Sequence, residues 1–199
     1  MAPNYVMRVI REPMPGKAFE VLEKVLEFRR GSGIQGMTTS GVFSARQLIV
    51  STTPFESLAE AESLVDGVLS NPERQQAFAD IGALCSSTAN NLSRIIEPGS
   101  GRETANWVQR YVFTHAPSER RQLVEALREY GSHLGDPMIS ITGSMNGPQV
   151  VASLAVESLS TIEGRGEAIA TDPATMARAS AVISHTETYA VGIAKVFRT

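Results

Sequence analysis

The sequence predicts an α+β fold made of two tandem copies of one β-α-β-β-α-β unit, and three observations point to it. Elements of the same type follow in the same order between Tyr5 and Pro98 and again between Asn106 and Arg198. Local matches keep a single frame: Phe55-Glu56-Ser57-Leu58 falls on Val156-Glu157-Ser158-Leu159, Glu62 on Glu163 and Asn71-Pro72 on Asp172-Pro173, each 101 residues later. Leu22 with Leu123, Leu26 with Leu127, Met37 with Met138 and Val50 with Val151 keep the same frame. Midway, Pro98-Gly99-Ser100-Gly101-Arg102 has the composition of a linker. The chain therefore divides into a first repeat over residues 1–98, a linker over 99–105 and a second repeat over 106–199.

Each element has a local reason. Tyr5 to Arg11 alternates as a strand, with Arg8 on the face of Val6 and Ile10. Pro13, Pro15 and Gly16 break it. Phe19, Leu22, Val25, Leu26 and Arg29 recur at helical spacing over Lys17 to Arg30, and Gly31-Ser32-Gly33 suits the helix end. Met37 to Phe43 and Gln47 to Thr52 read as a hairpin about Ser44-Ala45-Arg46. Thr53-Pro54-Phe55-Glu56 has the pattern of a capping box with proline at the first helical position. Asn71-Pro72 restarts this helix, which is expected to run to about Ser86, and Leu92, Arg94 and Ile96 mark the closing strand. The second copy gives strand Trp107 to Phe113, helix Ser118 to Tyr130, and strands Met138 to Thr142 and Val150 to Leu154. A helical region from Glu157 to His185, broken near Asp172-Pro173, leads to a last strand, Tyr189 to Phe197. In that strand Val191, Ile193 and Phe197 suit a face toward another sheet, and Ala190, Gly192 and Ala194 suit helix packing.

Composition excludes several classes. The chain has 199 residues, 42% of them hydrophobic, enough for an ample core, and its net charge of −3 is without a basic stripe. Arg29-Arg30 and Arg120-Arg121 are only pairs, so no nucleic-acid partner is expected. No stretch approaches the roughly 20 apolar residues of a membrane span, and the N-terminus lacks a secretory pattern, so no membrane partner is expected. Cys85 is the single cysteine, which leaves no internal disulfide and suggests a reducing, cytoplasmic setting. No dinucleotide fingerprint, Walker sequence or nucleophile elbow occurs, and no cofactor is expected.

A β-α-β-β-α-β order in about 95 residues is the ferredoxin-like plan. It leaves one sheet face bare, and a bare apolar face must be buried. Three runs carry a family resemblance: Thr53-Pro54-Phe55-Glu56, Ser57-Leu58-Ala59-Glu60-Ala61, and Asn71-Pro72-Glu73-Arg74 opening the second helical piece. With the element order of both halves, they make the sequence similar to the dimeric α+β barrel superfamily in its tandem-duplicated form. That group includes NIPSNAP-like proteins and relatives of antibiotic-biosynthesis monooxygenases. The resemblance implies antiparallel sheets of the two repeats packed face to face as a pseudo-dimeric barrel, with room for a pocket between each sheet and its helices. It implies no catalytic residue, because one fold hosts many chemistries. Edge strands also leave room for association into a homodimer.

The candidate pocket residues lie mostly in the second repeat. Trp107, Gln109 and Tyr111 alternate on one strand face, where aromatic rings with polar tips either hold a flat organic ligand or fill the space between sheets. Tyr189 lies with Lys195 on one face of the last strand. His185 ends the last helix, where a cation suits the helix dipole, and stands four residues before Tyr189. His115 and His133 read as solvated loop residues. In the first repeat Arg8 needs a partner, either an anionic ligand or a carboxylate. None of the histidines has a metal-ligand spacing. Leu84 and Thr88 stand where His185 and Tyr189 would repeat, so a polar site is expected in one half only. Two functions follow: a small-molecule-binding or interaction protein without catalysis, or a cofactor-independent monooxygenase-like enzyme acting on an aromatic or polyketide-like compound.

Overall fold

The computed structural model describes residues 3–43, 46–99, 104–134 and 139–198. Its first repeat runs β1 (Tyr5–Pro13), α1 (Ala18–Ser32), β2 (Met37–Phe43), β3 (Ile49–Phe55), α2 (Leu58–Leu69), α3 (Pro72–Gly82) and β4 (Cys85–Glu97). β1 is central, antiparallel to β3 on one side and β4 on the other, and β2 pairs with the far side of β3. Val21, Leu22 and Val25 form the buried stripe of α1 and pack with Ile49 of β3 and Ile81 of α3. Gly33 ends α1 in the left-handed conformation at φ 67°, its amide reaching back to the carbonyls of Arg29 and Arg30. Asn71 starts α3 by accepting the Arg74 amide, with Pro72 in the first turn.

The second repeat follows the same plan: β5 (Trp107–Thr114), a 3-10 turn (Pro117–Glu119), α4 (Arg120–His133), β6 (Ile139–Ser144), β7 (Gln149–Val156), α5 (Leu159–Thr171), α6 (Pro173–Ser184) and β8 (Thr188–Arg198). Its strand order, β8-β5-β7-β6, matches the β4-β1-β3-β2 order of the first. α4 buries Leu123, Val124, Ala126 and Leu127 against Phe113, Ile141, Val150, Ala152 and Val182. A leucine as fully buried as Leu123 contributes roughly 1.5–3 kcal/mol to folding. Asp172 separates α5 from α6 by accepting the Ala174 and Thr175 amides, and Pro173 lacks the amide that would continue α5. Residues 1–94 with 195–199 form one compact unit and residues 95–194 the other.

Four expectations are corrected. Thr53, Pro54 and Phe55 continue β3 opposite Met7, Val6 and Tyr5, and the cap lies at Ser57, whose hydroxyl accepts the Glu60 amide at 3.2 Å. Burial of Phe55, 7% exposed, in the sheet outweighs the capping pattern. The α3 helix ends at Gly82, and β4 begins at Cys85. Phe197 packs with the α1 core, so the large residues of β8 do not all turn toward a second sheet. His115 is buried, with Nδ1 2.8 Å from the Ala116 carbonyl, and His133 is the last residue of α4. Ser44 and Ala45 of the expected hairpin turn, residues 100–103 of the linker, and Met138 lie outside the described residues.

Candidate functional site

The second repeat holds an open-mouthed cavity of about 650 Å³, walled by one sheet face and by α4, α5 and α6. Strand alternation sets the sheet wall. Gln109, Tyr111 and Phe113 share a face of β5, and Leu154 and Ala152 lie opposite Gln109 and Tyr111 on β7. Helical spacing sets the other wall. Ile162, Arg165, Gly166 and Ile169 of α5 line the cavity, as do Met176, Ala179, Ser180 and Ile183 of α6. Both sets follow the i, i+3, i+4, i+7 pattern of a single helix face. Leu127 and Tyr130 of α4, Val182 and Ser184 of α6, and Tyr189 of β8 complete the lining. Met176, Ile183 and Tyr189 are exposed to solvent and mark a wide rim.

The polar groups are few and specific. Arg165 is the single ionised side chain of the lining, which holds no Asp, Glu, His or Lys. Burial pushes its guanidinium pKa down, and the Tyr130 and Tyr111 hydroxyls oppose that shift. Burial likewise pushes the Tyr111 hydroxyl up, with Tyr130 adding to the shift and Arg165 opposing it, and the Tyr130 hydroxyl also rises with burial. Both phenols therefore stay protonated donors at neutral pH. The rings of Tyr111 and Phe113 are parallel to within 5° at 6.0 Å, and Tyr189 lies 6.3 Å from Phe113, so three aromatic rings line the same wall.

Of the residues singled out in the sequence, Gln109, Tyr111 and Tyr189 meet in this cavity. Trp107 lies at the start of β5, in register with Val156, and is not in the lining. His185 follows α6, and its Nδ1 sits 2.9 Å from a Glu119 carboxylate oxygen, beside the cavity residue Ser184 but outside the lining. Arg8 is in the first repeat, 5% exposed, with Nη1 donating to Ser93 Oγ at 3.4 Å. The strand candidates did not include Arg165 or Tyr130. The signal for Arg165 was present in the spacing of Ile162, Arg165 and Ile169, but a single arginine on a helix carries no strand-like alternation to attract notice. Among the described residues no group of three His, Cys, Asp or Glu side chains could hold a metal ion, and no helix is long and apolar enough to cross a membrane.

No family model matches the sequence, and no curated protein matches it. Solved structures do. An anthrone oxidase-like protein superposes over 100% of this chain and 92% of its own at a TM-score of 0.75, with 12% identity. The chain has the tandem-duplicated dimeric α+β barrel fold. A protein provisionally described as a monooxygenase, from Fusobacterium nucleatum, matches 99% of this chain and 94% of its own at a TM-score of 0.70 and 7% identity. A heme-binding protein from Thermus thermophilus covers 99% of this chain and 92% of its own at a TM-score of 0.52 and 14% identity. Identities this low carry the fold alone.

Within this dimeric α+β barrel chain the two repeats differ in what fills the layer between sheet and helices. Strand register puts Arg11 of the first repeat where the second has Phe113, since their partners Ile49 and Val150 are 101 residues apart. The helix frame puts Arg29 on Tyr130 and Phe78 on Ala179. Phe78 packs edge-on to Phe28 at 4.9 Å, and the Arg11 guanidinium sits 5.7 Å from its ring centre. A phenyl ring thus occupies in the first copy a position that the second leaves to a methyl group.

Proposed function

We propose that the second repeat binds a planar aromatic small molecule in its cavity and does not transform it. The single observation that carries this reading is the cavity itself, about 650 Å³, within the usual size of small-molecule sites, and lined by aromatic and aliphatic side chains with a few polar tips. Tyr111, Phe113 and Tyr189 supply ring faces for stacking, while Gln109, Tyr130 and Ser180 supply hydrogen-bonding groups. No histidine, carboxylate or lysine lines the space to act as a general base, which favours binding over catalysis.

The fluorescence of 2-hydroxymethylanthracene, a neutral planar probe, reports occupancy directly. The probe should bind the full chain, and Ala179→Phe, which puts a ring where the first repeat has Phe78, should weaken binding at least tenfold with the far-UV spectrum unchanged. Equal binding by the variant would overturn the assignment.

A second reading is a cofactor-independent monooxygenase-like enzyme acting on an aromatic or polyketide-like compound. It is favoured by Arg165 and the tyrosine hydroxyls, which suit a substrate-derived anion. With anthrone the reaction would consume one O₂, one oxygen atom entering the new carbonyl and the other leaving as water. Oxygen uptake above the protein-free rate, reduced by Tyr111→Phe, would favour this reading over simple binding.

A further inference from the structure

The outer wall of the cavity is lightly held. α5 buries none of its residues and α6 only Thr175 and Val182, of which Val182 packs on the α4 core. Yet α6 carries Met176 and Ile183, two of the three rim residues, so its position sets the width of the mouth. A segment with so few buried contacts opens at low cost, and what ties its ends decides how easily. Both ends are tied to α4 by a histidine and a carboxylate. At the start of α6, Nε2 of His133, the last residue of α4, lies 2.9 Å from Thr175 Oγ1 and 3.4 Å from the Asp172 carboxylate. At its end, His185 Nδ1 lies 2.9 Å from the carboxylate of Glu119, the residue before α4. Resting on the reading of the cavity as a binding site, we infer that these two pairs position α6 over the ligand and make its release pH-dependent. They hold the wall most firmly while both histidines are cationic.

Histidine changes charge between pH 5 and 8, where carboxylates stay ionised. A cationic imidazole adds charge attraction to its hydrogen bond, whereas a neutral one keeps the hydrogen bond alone. The grip on α6 therefore strengthens as pH falls through that range. Among the described residues Asp172 is the charged group in contact with His133, and Glu119 the one in contact with His185. Glu129, one turn before His133, and Glu187, two residues after His185, carry the same sign as those partners. Of the nearby cations, Arg120 lies against Gly143, Arg128 pairs with the Glu97 carboxylate and Arg178 donates to the Ala174 carbonyl. Arg165 lines the cavity, and Arg121 is exposed on the first turn of α4. The first repeat, whose layer Phe78 fills, has neither pair. Ala18, Ser32, Asn71 and Leu84 stand there, 101 residues before Glu119, His133, Asp172 and His185. The pairs accompany the cavity and are absent where it is filled.

Stopped-flow release of 2-hydroxymethylanthracene, a probe without a titrating group in this range, reads the effect in the full chain. Release should be about threefold slower at pH 5.5 than at pH 8.0, a modest factor because both pairs are partly exposed. A double variant, His133→Gln with His185→Gln, keeps a hydrogen-bond donor at each end without the charge and should release at the pH 8.0 rate at both values. His115 is unchanged in that variant, so any pH effect of the third histidine survives the substitutions. A wild-type rate independent of pH, or a dependence that persists in the double variant, would overturn the role of the pairs and leave the binding site standing. If the probe binds at neither pH, the site itself fails, and amide hydrogen exchange then decides the role of the pairs. Corrected for the intrinsic effect of pH, α6 should be about threefold better protected at pH 5.5 than at pH 8.0 in the wild type and not in the variant, and equal protection in the wild type would overturn it.

Discussion

Gly36 precedes β2 at φ 133°, a conformation that L side chains rarely adopt. A side-chain carbon there would run into the Thr52 carbonyl and the guanidinium of Arg29. That arginine is 3% exposed and donates to the Gln35 carbonyl at 2.8 Å and to Thr53 Oγ1 at 3.2 Å, so neither neighbour can withdraw without losing a hydrogen bond. Gly36→Ala should cost about 1–3 kcal/mol, read as a lower urea midpoint, and an unchanged midpoint would show that the loop relaxes freely. Residue-scale features of this kind were only partly legible in the sequence. Arg8 was recognisable as a charge on an apolar face and Arg29 by its place in the apolar spacing of α1, but Arg11 looks like an ordinary surface arginine. Only the fold shows that burial holds Arg11 down to about 10, with Cys85 opposing that shift and Arg29 adding to it. Gln109, Tyr111 and Tyr189 were legible because strand alternation alone puts side chains on a common face. Arg165 was not, because its place in the lining depends on which helix face meets the sheet.

At the scale of elements, caps decided where helices start. Asn71-Pro72 and Asp172-Pro173 act as the sequence suggested, one amide-accepting side chain followed by a proline. Thr53-Pro54-Phe55-Glu56 does not, because the sheet ladder claims its first three residues and the same Ser/Thr-x-x-Glu spacing recurs four residues later at Ser57 and Glu60. A local motif thus yielded to tertiary burial. The second cap also titrates. Hydrogen bonds from the Thr175 side chain and amide, with smaller ones from His133 and Ala174, hold the Asp172 carboxyl down to about 2. A carboxyl whose folded pKa lies below its unfolded value adds stability that is fully present above the unfolded value, 3.8, and is lost as pH falls toward 2. Asp172→Asn keeps a capping oxygen but cannot ionise. Its melting temperature should therefore fall less steeply than that of the wild type between pH 4 and 2, and parallel curves would contradict the assignment.

For the whole molecule, the duplicated α+β plan was readable because it rests on order and spacing, which survive when identities do not. The closing strands were harder: β4 has few apolar residues over Cys85 to Asn90 and reads as loop until its pairing with β1 is known. What the duplication could not disclose is that the copies diverged in content, Phe78 filling one layer where Ala179 opens the other. That contrast is the central claim, a second repeat with an open layer that takes a planar aromatic molecule. A crystal structure of the full chain with 2-hydroxymethylanthracene tests it most directly. The account predicts the rings in the second repeat, against Tyr111 and Phe113. Ligand density in the first repeat alone, or a second-repeat cavity closed by its own side chains, would contradict it.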